Sequence, residues 1–453
     1  METTYLRSIV EHFYRLPYEA LDERTVHQVR RCFMDYLGCV IYSAKHRCCQ
    51  PLVELICDFS PQGTSGPWGS GKRINGAGAG AANACRASSL ELDDVSGVNA
   101  SVHAGVYVWS AAIEAWKVSR CDMKTFIRAI VFGYDVCIRF GMLAGESVRD
   151  FGLHGPGMCG SFAAAAAAGM IAGLTARQTE QALCIAGSLL PLCPFVSFIE
   201  GADSKDMYGG VGVFQALFAV EAAKRGLTGP TGLLEGPKGI GGFFRLKRGM
   251  DIPPGSEYFI NSIAFKRFSA CFSVHPATTA VLELLAEHDV DPERIARVHV
   301  ESYPYSYALS RGTEAAPLNA ASARLSLPYC TAFALYERGL GPEAFTPESL
   351  ENGKYRALAE KITIENHEEY GAGPYGVRGS IVTVTMEDGT GFSKEVLDSG
   401  WDGDVPDAML EGKFRALSAC AFDSAAQDRL IADLMHLEAP ESLPRILAAL
   451  SGL

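Results

Sequence analysis

The chain has no run or predicted helical face that is rich in lysine and arginine. Charged residues make up only 20% of its 453 residues, and 52 acidic residues outnumber 40 basic ones, which gives a net charge of −12. Because nucleic-acid binding depends on basic surface, this composition argues against a nucleic-acid partner. The low charged fraction also suggests that some surface is buried between subunits of an oligomer.

The 14 cysteines are scattered and form no C-x-x-C pair. The nearest two, Cys48 and Cys49, are adjacent, which suits neither a metal chelate nor an unstrained disulfide. We therefore expect most cysteines to be small buried side chains in a reducing compartment. The sequence also lacks a P-loop, a G-x-G-x-x-G after a strand, an H-E-x-x-H motif and a nucleophile elbow, so no cofactor and no metal are predicted.

A targeting or membrane segment is also missing from the sequence. Residues 1–5 contain neither a basic region nor an apolar run, as a signal peptide would. The longest candidate span, residues 159–173, is rich in alanine and glycine and too short to cross a bilayer. We therefore expect a cytoplasmic protein that contacts no membrane.

Helical periodicity dominates the first 265 residues. Val26, Val29, Phe33 and Leu37 recur at three- and four-residue steps, which is typical of an amphipathic helix. Thr175 precedes another helical pattern, and Gln178 three residues later completes a capping box. The predicted helices of this region cover residues 26–37, 79–90, 106–118, 126–140, 161–172, 176–188 and 212–225. Many helices and few strands predict an all-helical bundle domain.

The pattern changes after about residue 265. Apolar and polar residues alternate in residues 296–303 and 380–386, as they do in strands. Residues 387–390 have the composition of a hairpin turn, and residues 391–397 are predicted to form the second strand of that hairpin. Residues 321–336 and 347–359 are predicted helices between them. Residues 266–400 are therefore predicted to form a smaller α+β domain. The helical tail, residues 401–453, is expected to pack back on residues 1–265 as one discontinuous domain, so that the fold class is mainly α with a smaller α+β domain.

The segment from Glu91 to His103 is the strongest candidate for chemistry. Glu91, Asp93 and Asp94 lie between two apolar helical patterns, and a loop of mostly small residues leads to the histidine. Carboxylates at such a junction are costly to bury unless they are paired or used. They could hold His103 or exchange protons with it, since histidine titrates near neutral pH. The same carboxylates would also fit an exposed helix end.

Two further candidates lie in glycine-containing segments before predicted helices. His154 stands in Gly152-Leu153-His154-Gly155, ahead of an alanine-rich helix, where helix N-termini bind anions. Lys205 lies between acids shortly before a glycine-rich helix start and could hold a substrate carboxylate as a point charge. An ordinary loop histidine and a surface ion pair are the alternatives.

The predicted domain junction supplies three more residues. His275 opens an apolar helix there, and clefts between domains favour ligand binding. Lys266 lies at the same junction and could face an anion, although a solvated lysine fits the pattern as well. Tyr329, in Ser326-Leu327-Pro328-Tyr329, fits a position in the core better than a catalytic one. This set of imidazoles, carboxylates and lysines fits proton transfer on an anionic substrate.

These elements, taken in their order, resemble the MmgE/PrpD family, which includes 2-methylcitrate dehydratase, cis-aconitate decarboxylase and iminodisuccinate epimerase. The resemblance extends over nearly the whole chain. It rests on the segments Phe33–Cys39, Glu91–Asp94 with His103, Gly133–Val136, Gly152–His154, Lys205 before Gly209, Gly226–Pro230, His275 and Ala323–Tyr329.

The resemblance implies a helical domain, a smaller α+β lid and a homodimer, with chemistry on small di- or tricarboxylates in the cleft and without metal. It implies that active-site positions of the decarboxylase branch fall on Glu91 (an aspartate there), Val95 (a threonine there), His103, His154, Lys205, His275 and Tyr329. The loop before His103 is about two residues longer than in that branch, and Val95 with Ser96-Gly97 replaces its threonine and histidine. These differences alter the predicted pocket wall.

The leading hypothesis is therefore a cofactor-independent lyase, a dehydratase or decarboxylase of a small polycarboxylate. His103 or His275 would move a proton next to a carboxylate, while Lys205 and His154 would stabilise the developing charge, with Asp93, Asp94, Val95, Tyr329 and Lys266 as binding residues. One alternative is an isomerase or epimerase that uses the same proton abstraction. Another is a non-catalytic anion-binding homologue.

Overall fold

The computed structural model describes residues 4–98, 102–244, 253–255, 257–310, 317, 319–370, 378–397 and 405–453. The predicted fold class is confirmed: the chain is mainly helical, with a small mixed sheet in its C-terminal half. Part of the loop before His103, residues 99–101, lies outside the described residues. No helix in the described part of the chain is long and apolar enough to span a bilayer.

The N-terminal part is built from helices with three short strands. Its helices are α1 (Tyr5–Arg15), α2 (Glu23–Lys45), α3 (Gln50–Phe59), α4 (Gly76–Ser88), α5 (Ala104–Ser119), α6 (Met123–Asp150), α7 (Gly155–Ile171), α8 (Ala176–Ser188), α9 (Val196–Ile199), α10 (Ser204–Lys224) and α11 (Ile240–Phe243). Its strands are β1 (Gln62–Ser65), β2 (Val95–Ser96) and β3 (Ile263–Ala264).

The remainder contains the main sheet and the tail helices. The helices are α12 (His275–Glu287), α13 (Pro304–Ser310), α14 (Ala320–Ala323), α15 (Leu327–Glu337), α16 (Pro347–Glu351), α17 (Gly353–Ala359), α18 (Asp407–Ser418), α19 (Ser424–Met435) and α20 (Ser442–Leu450). The strands are β4 (Ile295–Ser302), β5 (Ile362–Asn366), β6 (Gly379–Met386) and β7 (Gly391–Leu397).

Helix α7 lies at the centre of the helical part. All of its residues are buried, and it packs against α5, α6, α8 and α10. Its alanines allow this close approach, as does Gly133 of α6, where an added Cβ would lie 3.0 Å from the Cβ of Ala167. The capping box predicted at Thr175 and Gln178 is present at the start of α8. A helix surrounded on all sides needs small side chains, which explains the alanine run.

The main sheet has the strand order β5-β4-β6-β7. Strands β4 and β5 are parallel, whereas β4 pairs antiparallel with β6 and β6 with β7, which confirms the predicted hairpin. Val298 and Val300 of β4 and Val382 and Val384 of β6 are all buried on one face, which α12 covers. This alternation is the signal that predicted the strands.

Several predicted helices are shorter or divided in the structure. Ser326 accepts a hydrogen bond from the backbone N–H of Tyr329 and so begins α15 separately from α14. Asn352 begins α17 and Asp423 begins α19 by the same kind of cap. Since these residues satisfy free N–H groups at helix starts, the single helices predicted over residues 321–336 and 347–359 are wrong, and the helical tail consists of three helices.

Most buried apolar side chains belong to one of two cores. The larger core combines side chains from α1 to β3 with Val405, Leu410, Phe414 and others of the tail helices. The second core contains side chains from residues 268–396 and includes the buried face of the main sheet. The tail helices therefore pack on the helical part of the chain.

Lys413 of α18 ties the tail to the segment that carries the candidate site. Its ammonium group donates to Asp35 of α2 and, at 2.7 Å, to the carbonyl of Leu92. Burial raises the pKa of Asp35 above its ordinary value, and Lys413 opposes this shift. Removal of the lysine would leave a buried carboxylate and a buried carbonyl without this partner.

We expect Lys413→Met to lower the free energy of unfolding by about 3 kcal/mol, because it removes one member of a buried ion pair. Lys354→Met is the matched control. Lys354 pairs with Glu337 at 2.8 Å where both side chains are more than a third exposed, so its loss should change stability by about 1 kcal/mol or less. Urea unfolding of the three proteins measures both values, and equal losses would contradict a structural role for the Lys413 contacts.

Candidate active site

A short ladder brings the acidic segment next to a distant part of the chain. Strand β2 pairs antiparallel with β3, with Val95 opposite Ala264 and Ser96 opposite Ile263. The chain then continues from β3 directly to Lys266. Because β2 follows Glu91 closely and β3 precedes Lys266 closely, this pairing places the two side chains together although 175 positions separate them.

Glu91 lies between two lysines. One carboxylate oxygen accepts from Lys205 Nζ, and the other accepts from Lys266 Nζ at 2.9 Å. Burial by itself would raise the pKa of Glu91, but the charges of Lys205 and Lys266 outweigh burial and hold that pKa well below its ordinary value. Glu91 is therefore ionised, and it compensates the charge of both buried ammonium groups.

His103 and Asp93 form a second pair in the same place. Nδ1 of His103 lies 2.9 Å from a carboxylate oxygen of Asp93. His103 directly precedes α5, and Asp93 lies between the end of α4 and β2. Burial acts to raise the pKa of Asp93, but His103 reverses this and lowers it. A carboxylate at this position can orient the imidazole ring.

His154 faces the same space from the start of α7. Its backbone N–H donates to the carbonyl of Cys193 at 2.7 Å, and its ring lies 5.5 Å from that of Tyr208. Burial, followed by the charge of Lys205, lowers the pKa of His154 to about 3. The imidazole is therefore neutral at physiological pH and can donate or accept a hydrogen bond without carrying charge.

These side chains surround a cleft with an empty volume of about 330 Å³, which includes space that is open to solvent. Its lining consists of Ser88, Glu91, Asp93, His103, Val106, Tyr107, His154, Pro156, Lys205, Tyr208 and Gly209. Five of the predicted site residues, from three separate segments of sequence, thus meet at one place. Lys266 lies behind Glu91 and reaches this group through the Glu91 carboxylate.

The other four predicted residues lie outside the lining of the cleft. Asp94 accepts from the backbone N–H of Gly105 and from the hydroxyl of Tyr134, on the opposite side of the segment from Asp93. Val95 is buried with Ala264 and Phe272. Asp94 therefore faces α5 and α6, whereas Val95 packs against β3 and Phe272, and neither side chain lines the cleft.

His275 and Tyr329 are buried in the second core. His275 is fully buried beside Phe268 and Phe272, and burial lowers its pKa well below the ordinary value. The hydroxyl of Tyr329 donates to the carbonyl of Ala344 at 2.6 Å. As placed, these two side chains stabilise the packing of α12 and α15 and do not face the cleft.

Lys205 occupies a different local position from the predicted one. Helix α10 begins at Ser204 rather than at Gly212, so Lys205 lies in its first turn. Glycines at 209 and 210 weaken the helical pattern, but they pack directly against α4, where an added Cβ at 209 would lie 3.2 Å from the carbonyl oxygen of Ala84. Close packing of α10 on α4 therefore overrides the low helix propensity of glycine.

Sequence reasoning missed several polar residues of the site. Tyr208 lines the cleft one helical turn after Lys205, and its hydroxyl donates to the carbonyl of Pro194 at 2.8 Å. Asp206 lies 3.6 Å from Lys205 and also interacts electrostatically with Arg324. Three- and four-residue spacing from a candidate on a helix would have identified Tyr208, and Tyr107 four residues after His103.

Comparison with known proteins identifies the family to which the chain belongs. The MmgE/PrpD N-terminal domain matches residues 7–252, and the MmgE/PrpD C-terminal domain matches residues 268–437. The chain belongs to the MmgE/PrpD family. The predicted resemblance is thereby confirmed.

Two fungal relatives are similar over most of the chain. Cis-aconitate decarboxylase of Aspergillus terreus is 24% identical, over 86% of this chain and 84% of that protein. The cis-aconitate decarboxylase-like protein oryM of Aspergillus oryzae is also 24% identical, over 94% of this chain and 92% of its own length. These relatives support a lyase of the MmgE/PrpD family.

Asp94 makes the stability of the folded chain depend on pH. Burial raises its pKa from 3.8 to about 7, and the hydroxyl of Tyr134 opposes this shift. In the unfolded chain the carboxyl ionises near its ordinary pKa. Between these two values the folded state keeps a proton that the unfolded state loses, so the contribution of Asp94 to stability is complete at low pH and disappears as the pH rises through about 7.

We therefore expect the free energy of unfolding of the unmodified chain to fall by about 2 kcal/mol more than that of Asp94→Asn between about pH 5 and pH 7. The asparagine variant is neutral throughout this range and supplies the matched reference. Urea unfolding at both pH values provides the comparison. Identical pH dependence of the two proteins would contradict a protonated Asp94 in the folded state.

Proposed function

We propose that this chain is a cofactor-independent lyase that acts on a small di- or tricarboxylate. The observation that carries the proposal is the arrangement of the Asp93–His103 pair and the Lys205 ammonium group around one cleft. The first can move a proton, and the second can bind and stabilise a carboxylate. The similarity to the cis-aconitate decarboxylase of Aspergillus terreus supports the same class of reaction.

Proton transfer would take place at the carbon next to a bound carboxylate. Asp93 fixes His103 through Nδ1, which leaves Nε2 to take a proton from that carbon or to return one. In a dehydration the abstracted proton is matched by departure of hydroxide from the neighbouring carbon, so that water is lost. In a decarboxylation the C–C bond breaks, CO2 leaves, and the electron pair that remains on carbon takes up a proton.

The neutral His154 and the charged Lys205 would have separate tasks. Lys205 balances the negative charge that builds on the substrate carboxylate as the carbon loses a proton or CO2. Because its pKa is about 3, the His154 ring is neutral at physiological pH and would not act as a general acid. It would orient a substrate oxygen by hydrogen bonding, together with Tyr208 on the same side of the cleft.

Incubation in D2O with a panel of small di- and tricarboxylates that includes cis-aconitate, followed by NMR, tests the reaction. We expect loss of water or CO2 from one member of the panel. Deuterium exchange without such loss would instead indicate the epimerase alternative. Absence of both turnover and exchange across the panel would favour a non-catalytic anion-binding protein.

Substitution of His103 tests its role with the substrate found in that screen. We expect His103→Gln to reduce kcat by about a hundredfold or more while the circular dichroism spectrum stays unchanged, because the proton carrier is lost and the fold is not. His288→Gln, a change at an exposed histidine at the end of α12, is the control and should retain full kcat. Full activity of the His103 variant would remove this residue from the mechanism.

We further propose that the protein is a homodimer that associates through α10. Val211, Phe214 and Phe218 of this helix form an apolar stripe, and between 45% and 57% of each residue is exposed. Leu192 and Val196, in the segment that precedes α10, are exposed as well. Apolar side chains at this spacing on an open helix face are typical of a self-complementary interface.

We expect Phe214→Glu combined with Phe218→Glu to convert a dimer to a monomer in light scattering after size-exclusion chromatography, because two charges would be buried in the contact. Phe59→Glu is the control. Phe59 is 85% exposed on α3, outside the stripe, and its replacement should leave the molar mass unchanged. A dimer that persists in the double variant would exclude this face as the interface.

A further inference from the structure

The two buried lysines of the site share one carboxylate. Lys205 and Lys266 have side chains that are only 5% and 1% exposed, and each contacts a different oxygen of Glu91. Among the described residues, Asp206 lies 3.6 Å from Lys205, and the charge of Asp93 also raises the pKa of Lys266. Glu91 is therefore the closest counter-ion of both ammonium groups, and its loss would leave their charges poorly compensated.

The backbone directs the Glu91 side chain toward the lysines. Glu91 has a φ of 50°, in the left-handed region that a residue with a side chain rarely adopts. Two hydrogen bonds hold the peptide group that precedes Glu91: its N–H, from Glu91, donates to the carbonyl of Ser88, and its carbonyl, from Leu90, accepts from the Ser269 hydroxyl. An uncommon conformation held in this way at a cleft is expected where the direction of a side chain matters.

The position of Glu91 also controls access to Lys266. Glu91 and Lys205 line the cleft, whereas Lys266 lies behind the Glu91 carboxylate. A ligand that enters the cleft can share Lys205, which has three N–H donors, but it reaches Lys266 only when the Glu91 side chain moves away. A ligand carboxylate and the Glu91 carboxylate are the same chemical group and would compete for the same donors.

We propose that Glu91 is an internal competitor, which occupies the lysine pair in the empty site and must be displaced from at least one lysine by a carboxylate of the substrate. This inference rests on the proposed function in that the ligand is taken to be a carboxylate. Glu91 thereby selects for substrates with several carboxylates. A monocarboxylate brings one charge and leaves the displaced Glu91 uncompensated, whereas a polycarboxylate can engage Lys205 and also neutralise Lys266.

Calorimetric titration of the full-length chain with acetate, succinate and propane-1,2,3-tricarboxylate tests the proposal. We expect Glu91→Gln to bind the tricarboxylate about tenfold more tightly or better than the unmodified chain, because it removes the competing charge beside two ammonium groups. The gain should be smaller for succinate and smallest for acetate. Unchanged or weaker binding of all three acids by this variant would overturn the proposal.

Asp203→Asn is the matched control for a general effect of charge. It removes a negative charge from an exposed residue at the start of α10, whereas the ion pairs of Lys205 are with Glu91 and Asp206. We expect its affinities to stay within about twofold of those of the unmodified chain. An increase in affinity equal to that of Glu91→Gln would show that overall charge, rather than the bridging position of Glu91, governs binding.

A second variant covers the case in which Glu91→Gln does not fold. Glu91→Asp keeps the charge but lacks one methylene, so it cannot span both lysines from the same backbone position, and we expect intermediate affinity for the tricarboxylate. Affinity equal to that of the unmodified chain would count against the proposal.

Turnover of the unmodified chain is measured in parallel. Turnover without the expected gain in affinity overturns only this inference, whereas absence of carboxylate binding and turnover in every protein overturns the proposed function as well.

Discussion

The contact of Glu91 with Lys205 and Lys266 is the interaction on which the rest of the site depends. Each partner alone would be a buried, uncompensated charge, and removal of one member of such a group is strongly destabilising. The group also links three parts of the chain, since Glu91 follows α4, Lys205 begins α10 and Lys266 follows β3. The need to compensate these buried charges therefore holds the walls of the cleft together.

The neighbouring carboxyls, Asp93 and Asp94, show how local geometry separates two roles. Asp93 faces the cleft, where His103 lowers its pKa, and Asp94 faces the helical core, where burial raises its pKa to about 7. Asp93 and Asp94 point to different sides of this segment, so two identical residues meet opposite environments. The ionised Asp93 can support a charged imidazole, whereas a protonated Asp94 can remain in the core without a counter-ion.

The sequence predicts the helical periodicity, the strand alternation of β4, β6 and β7 and five of the cleft residues because these signals are local. The pairing of β2 with β3 has no such signal: each strand has two residues, too few for a detectable period, and they lie far apart in the chain. The orientations of His275 and Tyr329 depend on how α12 and α15 pack in the second core. Residue type indicates that such side chains can do chemistry, but only packing decides whether they face a cleft.

The surroundings of the three histidines also distinguish them as candidates for proton transfer. A proton carrier at neutral pH must exist in both protonation states, which the burial of His154 and of His275 prevents, since both pKa values lie far below 6.5. His103 is in a different situation, because its side chain lines the cleft and its Nδ1 lies 2.9 Å from a carboxylate oxygen of Asp93. The sequence left the choice between His103 and His275 open, and this physical difference favours His103 as the residue that moves the proton.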